Sequence, residues 1–252
     1  MLQHRPRSPG MEAQTIMVAV VAGLQGVADR IGIAARAAQR DPGSVGLVAV
    51  SKTFPALLIR AAFDAGQRDF GENYLQEALA KIEALTDLPL IWHFIGPIQS
   101  NKTRAIAENF AWVHSVDRLR IAERLSDQRP PHLPPLAVCL QVNISGEPSK
   151  SGAAVADAAA LAVAVAALPG LRLRGLMAMP AATADPNLQR AAFRRLRELR
   201  DAVNAAGGLP APLDTLSMGM SDDLESAIAE GATLVRVGEA GATAAVSLVR
   251  RK

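Results

Sequence analysis

The chain alternates short apolar segments with helix-length segments, and this alternation limits the possible folds more than any other feature. Apolar and β-branched runs predict strands at residues 47–51, 69–71, 90–95, 112–115, 137–144, 173–179, 214–217 and 234–237. Helices are predicted between them at 56–66, 74–85, 102–109, 118–126, 153–168, 187–206 and 222–230, and one more at 11–38. Eight strands that alternate with helices, preceded by one extra helix, predict an α/β protein, a single (β/α)₈ TIM barrel with an extra N-terminal helix.

The competing topology is a doubly wound open sheet. It is disfavoured because no Gly-x-Gly-x-x-Gly sequence follows the first predicted strand. The composition suits one large core, because half of the 252 residues are hydrophobic and only 4% are aromatic, so small aliphatic side chains must fill it. We therefore predict one barrel domain over residues 11–252, preceded by a disordered polar extension at 1–10.

Charge and cysteine content argue against several classes of protein. The net charge is only +3, and the arginines at 194–200 are interleaved with acidic residues, as on a solvated helix rather than a nucleic-acid-binding surface. Cys139 is the single cysteine, which excludes an internal disulfide, and no histidine–carboxylate cluster has metal-ligand spacing. The apolar stretch at 15–24 is too short to span a bilayer. We expect a cytoplasmic monomer without a metal, a nucleic-acid partner or a membrane partner.

Lys52 lies just after a predicted strand, at the end of the barrel where TIM-barrel proteins have their active sites. It ends the buried strand predicted at 47–51, and Pro55 suits the first turn of the next helix. A lysine amine that leaves a packed barrel interior loses its charge readily, and only the neutral amine attacks an aldehyde. Lys52 is therefore a candidate Schiff-base lysine, the alternative being a lysine whose ammonium simply reaches solvent.

Small residues form the loops after the seventh and eighth predicted strands, at 217–221 and 238–241. Phosphate sites in barrels often use these two loops, because backbone amides can approach the phosphate closely there. A lysine on the first strand opposite a phosphate-binding loop predicts a phosphorylated aldehyde cofactor, which is pyridoxal 5'-phosphate (PLP).

Seven ordered motifs carry a resemblance to a known family: SKT at 51–53, FGENY at 70–74, HFIGPIQSNK at 93–102, QVNI at 141–144, GLMAMP at 175–180, LSMGMS at 216–221 and VRVG at 235–238. Together they resemble the YggS/PROSC family of pyridoxal phosphate homeostasis proteins, over about residues 15–240. The resemblance implies an alanine-racemase-like barrel of fold type III. It also implies a protein that binds PLP in intracellular homeostasis or delivery, without established turnover, with PLP-dependent apoenzymes as recipients.

When the functional residues of the family are assigned by matching position, the resemblance implies that Lys52 holds the cofactor as a covalent aldimine. Arg236 matches the arginine that faces the pyridine nitrogen. A guanidinium cannot accept a proton, so that ring nitrogen should stay unprotonated. Asn73 and His93 match positions that line the pocket near the ring.

The phosphate cradle matches Ser217, Met218, Gly238 and Glu239. The chain departs from the family here, because the family usually has threonine after Arg-x-Gly, where this sequence has Glu239. A carboxylate repels a phosphate that a threonine hydroxyl would bind. We therefore expect Glu239 to weaken cofactor binding, and Glu239→Thr to tighten it.

Several of these residues also have purely structural interpretations. His93 fits a buried, hydrogen-bonded core histidine as well as it fits a cofactor contact. Glu72 and Asn73 could cap the following helix. Arg236 could form an ion pair with Asp214 or with Glu72 in the barrel core. The methionines near the strand ends fit core packing.

A PLP-dependent amino-acid racemase is the alternative function. Racemisation through two bases needs an acid–base group on each face of the α-carbon. Lys52 could serve one face, but the single tyrosine, Tyr74, is predicted at the start of a helix and offers no second base. A sugar-phosphate aldolase is weakened because no Asp/Lys pair lies at neighbouring strand ends. We therefore favour a binding protein over an enzyme.

Overall fold

A computed structural model describes residues 9–147 and 150–238. Its strands are β1 Gly46–Val50, β2 Asp69–Glu72, β3 Ile91–Phe94, β4 Trp112–Val116, β5 Leu136–Gln141, β6 Leu171–Met177, β7 Thr215–Ser217 and β8 Leu234–Val237. The strands pair in parallel in chain order, and β8 pairs with β1 to close the barrel. The predicted TIM barrel is therefore confirmed.

The helices of the described residues are α1 Pro9–Ala37, α2 Ala56–Asp64, α3 Leu75–Ala84, α4 Thr103–Asn109, α5 Leu119–Asp127, α6 Ala158–Ala166, α7 Pro186–Ala206 and α8 Leu224–Ala229. Helices α2 to α8 follow β1 to β7 in turn. The extra N-terminal helix is α1, and it begins two residues earlier than predicted. Residues 1–8 lie outside the described part of the chain, so the disordered extension stays a prediction.

Helix α1 lies between α2 and α8 and completes the helical layer around the barrel. It packs against both α2 and α8, with Val27, Ile31 and Ala35 buried in the core. Arg30 donates to both carboxylate oxygens of Glu225, at 2.7 and 2.9 Å, and to the carbonyl oxygen of Ser221 at 2.8 Å. The loop between β7 and α8 is therefore tied to α1.

The segment Met17–Ala37 of α1 is long and apolar enough to cross a membrane by length and composition, and it extends well beyond the shorter stretch recognised in the sequence. Only 22% of its most apolar window is buried in the structure. The buried side chains pack on the barrel as one apolar stripe, while Val18, Val21 and Ile33 are exposed.

Strand β5 ends earlier than predicted, at Gln141 instead of residue 144. Val142 keeps a single parallel bridge, to Ala153. The Asn143 side chain then folds the loop, because its Oδ1 accepts from the Gly146 amide at 3.0 Å and its Nδ2 donates to the Glu147 carbonyl at 2.8 Å. An asparagine that binds nearby backbone competes with the strand ladder.

Gly175 of β6 tests how tightly the barrel is packed. A β-carbon at this position would lie 1.8 Å from the carbonyl oxygen of Thr215 on β7. Gly175→Ala should therefore destabilise the protein by about 1–3 kcal/mol or more, because the two strands must separate. Gly26→Ala on α1 is the matched control: nothing lies within 4 Å of its added β-carbon, and alanine favours helix by about 0.5–1 kcal/mol. Urea unfolding measures both variants, and equal stabilities would contradict the prediction.

Candidate functional site

The carboxyl end of β1 brings Lys52 to the mouth of the barrel, as predicted. Its side chain is half-buried, and it has no hydrogen-bond or ion-pair partner among the residues that the structure describes. The next residue, Thr53, has a left-handed backbone with φ 67°, which is uncommon for a β-branched residue. The backbone at Lys52 is therefore held in a turn that the surrounding structure must stabilise.

A buried lysine on α3 supplies part of that stabilisation. Lys81 Nζ donates to the Ser51 carbonyl oxygen at 2.6 Å and to Glu72 Oε1 at 2.7 Å. Ser51 Oγ donates to the same carboxylate oxygen at 2.7 Å. Burial raises the pKa of Glu72, while the hydrogen bonds from Lys81 and Ser51 oppose that rise. Glu72 is thus bound by Lys81, and the alternative that it caps α3 is wrong.

The residue after Lys52 is bound to the same network. Glu77 Oε1 accepts from Lys81 Nζ at 2.5 Å and from the backbone amide of Thr53 at 2.5 Å. Ser51 and Thr53 are therefore both tied to Lys81, one directly and one through Glu77. This network fixes the backbone on each side of Lys52.

Sequence reasoning missed Lys81, although a signal was present. The apolar residues Leu75, Ala78, Ile82 and Leu85 recur at helical spacing along α3, and Lys81 falls on this face. A lysine on the buried face of an amphipathic helix needs a buried acidic partner.

The loop after β2 presents Asn73 next to this network. Its Oδ1 is buried and has no hydrogen-bond partner among the described residues. A β-carbon on Gly96 would lie 2.2 Å from the Asn73 carbonyl oxygen, so the loops after β2 and β3 touch where only glycine fits. Tyr74 is the N-cap residue of α3. Its side chain makes no capping hydrogen bond, and 58% of its surface is exposed.

Arg236 of β8 is buried in the barrel interior. Its Nη1 donates to Ser217 Oγ at 2.6 Å and its Nη2 donates to the Ala178 carbonyl oxygen at 3.2 Å. Burial lowers the pKa of Arg236 to about 10, which leaves the guanidinium charged at neutral pH. The ion pair that the sequence allowed with Asp214 or Glu72 is wrong, because Arg174 holds Asp214 and Lys81 holds Glu72.

The hydroxyl of Ser217 faces the barrel interior. It is fully buried and lies 2.7 Å from His114 Nδ1 as well as 2.6 Å from Arg236. Its oxygen is therefore already bound by two side chains of the barrel interior. Met218 is also fully buried and belongs to the hydrophobic core, which matches the packing alternative for its side chain.

The loop after β7 offers backbone amides instead. Gly219 has φ 95°, and its carbonyl oxygen accepts from the Arg236 amide at 2.9 Å. Among the described residues, the amides of Gly219, Ser221 and Asp222 find no acceptor. Gly238 lies beside β1, since a β-carbon there would be 3.5 Å from the β-carbon of Val50. Glu239 lies outside the described residues.

His93 is a buried core histidine. Its Nε2 lies 2.8 Å from Asp69 Oδ1 and its Nδ1 lies 2.9 Å from His114 Nε2. Its ring stacks on Trp112 at 5.5 Å with an angle of 11°. Burial lowers the pKa of His93, and Asp69 opposes that effect; burial lowers the pKa of His114 much further. Both His93 nitrogens are thus used inside the protein, which leaves none to contact a ligand.

The barrel and its strand-end lysine define a class of protein. Residues 24–242 match the family described as the alanine racemase N-terminal domain. The fold of alanine racemase from Corynebacterium glutamicum is similar, with a TM-score of 0.64 at 16% identity over 89% of this chain and 61% of that one.

Closer relatives narrow the class. A pyridoxal phosphate homeostasis protein of Pseudomonas aeruginosa is 66% identical over 224 residues, 89% of this chain and 95% of that protein. PipY of Synechococcus elongatus, solved with PLP bound, is 41% identical with a TM-score of 0.73, over 85% of this chain and 98% of that one. This chain belongs to the family of pyridoxal phosphate homeostasis proteins.

Replacing Lys81 tests the network that holds the Lys52 turn. Lys81→Met should cost about 3–5 kcal/mol, because it leaves Glu72 charged and buried without its partner. The double variant Lys81→Met/Glu72→Met should recover most of this loss, because no buried charge remains. Chemical denaturation gives both values. If the single variant were as stable as the double variant, the buried ion pair would not hold this turn.

Proposed function

We propose that this protein binds PLP at the carboxyl-terminal mouth of its barrel, holds it through a covalent bond to Lys52, and serves in cytoplasmic PLP homeostasis or delivery. The observation that carries this proposal is a lysine at the end of β1 that is held by its backbone while its amine has no partner among the described residues. A side chain presented in this way is available to a ligand.

The groups around the mouth fit the chemistry of this cofactor. Asn73 offers a buried amide oxygen without a partner in the described part of the chain. Arg236 uses two donors on Ser217 and Ala178, and its other N–H groups make no hydrogen bond to described residues. The loop after β7 adds amides that have no acceptor within residues 9–147 and 150–238, which suits a phosphate. These groups match the phosphate, the ring and the aldehyde of PLP in type and number.

Each residue then has a separate task. The Lys52 amine would hold the cofactor by condensing with its aldehyde, with loss of water, and the network around Lys81 keeps the Lys52 backbone in place. The guanidinium of Arg236 donates toward the ring nitrogen and cannot accept a proton from it, so that nitrogen stays unprotonated. Amides of the loop after β7 bind the phosphate. When bound, PLP supplies a reactive aldehyde and a ring that withdraws electrons.

The comparisons support this proposal. The P. aeruginosa and Escherichia coli relatives, 66% and 53% identical, are named pyridoxal phosphate homeostasis proteins. PipY was solved both with PLP bound and without PLP. A protein that delivers PLP needs recipients, and PLP-dependent apoenzymes are the class we propose.

A binding role suits the mouth better than catalysis does. A racemase needs a second acid–base group across from Lys52. Tyr74 is more than half exposed, and both histidines of the barrel interior are bound by their neighbours.

We propose that the protein acts as a monomer. Weakened phosphate binding caused by Glu239 stays a prediction, because this residue is outside the described part of the chain.

Trapping with borohydride tests the role of Lys52. Reduction of the PLP-loaded protein should fix the cofactor on Lys52 alone, and Lys52→Ala should abolish the fixation. This variant should unfold within about 0.5 kcal/mol of the wild type, because the side chain makes no polar contact with described residues. Lys102→Ala, which changes a lysine in the loop after β3, should label normally. Peptide mass spectrometry locates the label, and a label on another lysine would refute the assignment.

Proton exchange at the α-carbon separates a binding protein from a racemase. The PLP-loaded protein in deuterated water should not exchange the α-proton of alanine or serine faster than free PLP does, because a second acid–base group is missing from the described mouth. Proton NMR follows the exchange and chiral chromatography follows racemisation. Rapid exchange of one enantiomer, followed by racemisation, would overturn the binding role.

A further inference from the structure

A continuous line of hydrogen bonds crosses the inside of the barrel. Asp69 Oδ1 lies 2.8 Å from His93 Nε2, and His93 Nδ1 lies 2.9 Å from His114 Nε2. His114 Nδ1 lies 2.7 Å from Ser217 Oγ, which in turn lies 2.6 Å from Arg236 Nη1. We call these five residues the interior chain. Because β4 and β7 are not adjacent strands, the contact between His114 and Ser217 crosses the barrel.

The interior chain has two distinct ends. Arg236 and Ser217 belong to the carboxyl ends of β8 and β7, beside the proposed cofactor site. Asp69 is the first residue of β2, at the opposite end of the barrel, and 36% of its side-chain surface is exposed. One end of the interior chain is therefore a cation near the mouth, and the other is a carboxylate in contact with water.

With both imidazoles neutral, the chemistry of the end groups fixes the direction of every bond between them. A guanidinium only donates, so Ser217 Oγ accepts from Arg236 and gives its own proton to His114 Nδ1. His114 must then carry its proton on Nε2 and donate to His93 Nδ1. His93 in turn donates from Nε2 to Asp69, since a carboxylate only accepts. Each donor has one acceptor, and both imidazoles are neutral.

The reverse direction requires an added charge. If His114 donated to Ser217 while Asp69 accepted as a carboxylate, one of the two imidazoles would have to donate from both nitrogens and become a cation. His93 and His114 are almost completely buried. Arg236 already places one cation beside them and opposes protonation of His114, while Arg174, 4.8 Å from the centre of the Trp112 ring, is paired with Asp214. A second buried cation is therefore disfavoured.

We propose that Asp69, His93 and His114 are positioning residues for Arg236. They fix the direction of the Ser217 hydroxyl, so that its lone pair faces Nη1 and holds the guanidinium toward the cofactor ring. This role rests on the proposed PLP site at the mouth. It also leaves the phosphate to the backbone amides of the loop after β7, because the Ser217 proton is used on His114.

Histidine tautomers in the ligand-free protein give the first test. Long-range ¹H–¹⁵N correlation spectra of protein labelled at its four histidines distinguish Nε2–H, Nδ1–H and charged rings. His93 and His114 should both be neutral Nε2–H tautomers at neutral pH. Asp69→Ala should mix the tautomers, because water in place of the carboxylate can donate as well as accept. A charged ring or an Nδ1–H tautomer in the wild type would overturn the proposal.

Cofactor binding gives the second test. Asp69→Ala should weaken PLP binding about two- to tenfold, the value of one hydrogen bond to the ring, and should shift the pH dependence of the bound-cofactor absorbance. Asp87→Ala is the matched control, because Asp87 is an ion-paired carboxylate between α3 and β3, bound to Arg60 and outside the interior chain. Asp87→Ala should change neither readout.

The outcomes separate this role from the proposed site itself. Mixed tautomers in Asp69→Ala with unchanged PLP affinity and pH dependence would overturn the positioning role and leave PLP binding intact. A wild-type protein that binds no PLP would refute the proposed function, and the positioning role with it, whatever its tautomers are.

Discussion

The ladder between β1 and β8 closes the barrel, and the geometry of the mouth depends on it. Its register pairs Val48 with Arg236 and Ala49 with Val237. This pairing places Arg236 deeper in the barrel than Lys52, which follows the neighbouring strand β1. It also brings Gly238 against Val50. A slip of one residue would turn Arg236 out of the interior and onto the helical layer. The amine, the guanidinium and the loop after β7 share one mouth only in this register.

The buried polar groups of this protein add little stability that apolar packing could not supply. Buried ion pairs such as Lys81–Glu72 can often be replaced by packed hydrophobic residues without loss of stability. Their value lies in geometry. The Lys81 network fixes the backbone around Lys52, and the interior chain fixes Arg236. Residues that break the rules of core composition tend to mark functional sites, and both sets lie beside the proposed cofactor site.

The sequence predicted the fold and the position of Lys52 after the first strand well, because both follow from local patterns. Each strand lies within three residues of its predicted bounds, since buried parallel strands are short apolar runs. The contacts inside the barrel could not be predicted in this way. The distance between His114 and Ser217 depends on which strands face each other across the interior, and they are 103 residues apart in sequence. Lys81 was missed because one lysine on an apolar helix face hardly changes the periodicity.

Helix α1 has a consequence for how the chain folds during synthesis. Its partner Glu225 lies 195 residues after Arg30, so the contact with α8 is among the last that translation makes possible. At about 5–20 residues per second, the wait is on the order of ten to forty seconds. Throughout that time the apolar face of α1 has only α2 to cover part of it. The apolar face of α1 is therefore exposed to chaperones until α8 emerges from the ribosome.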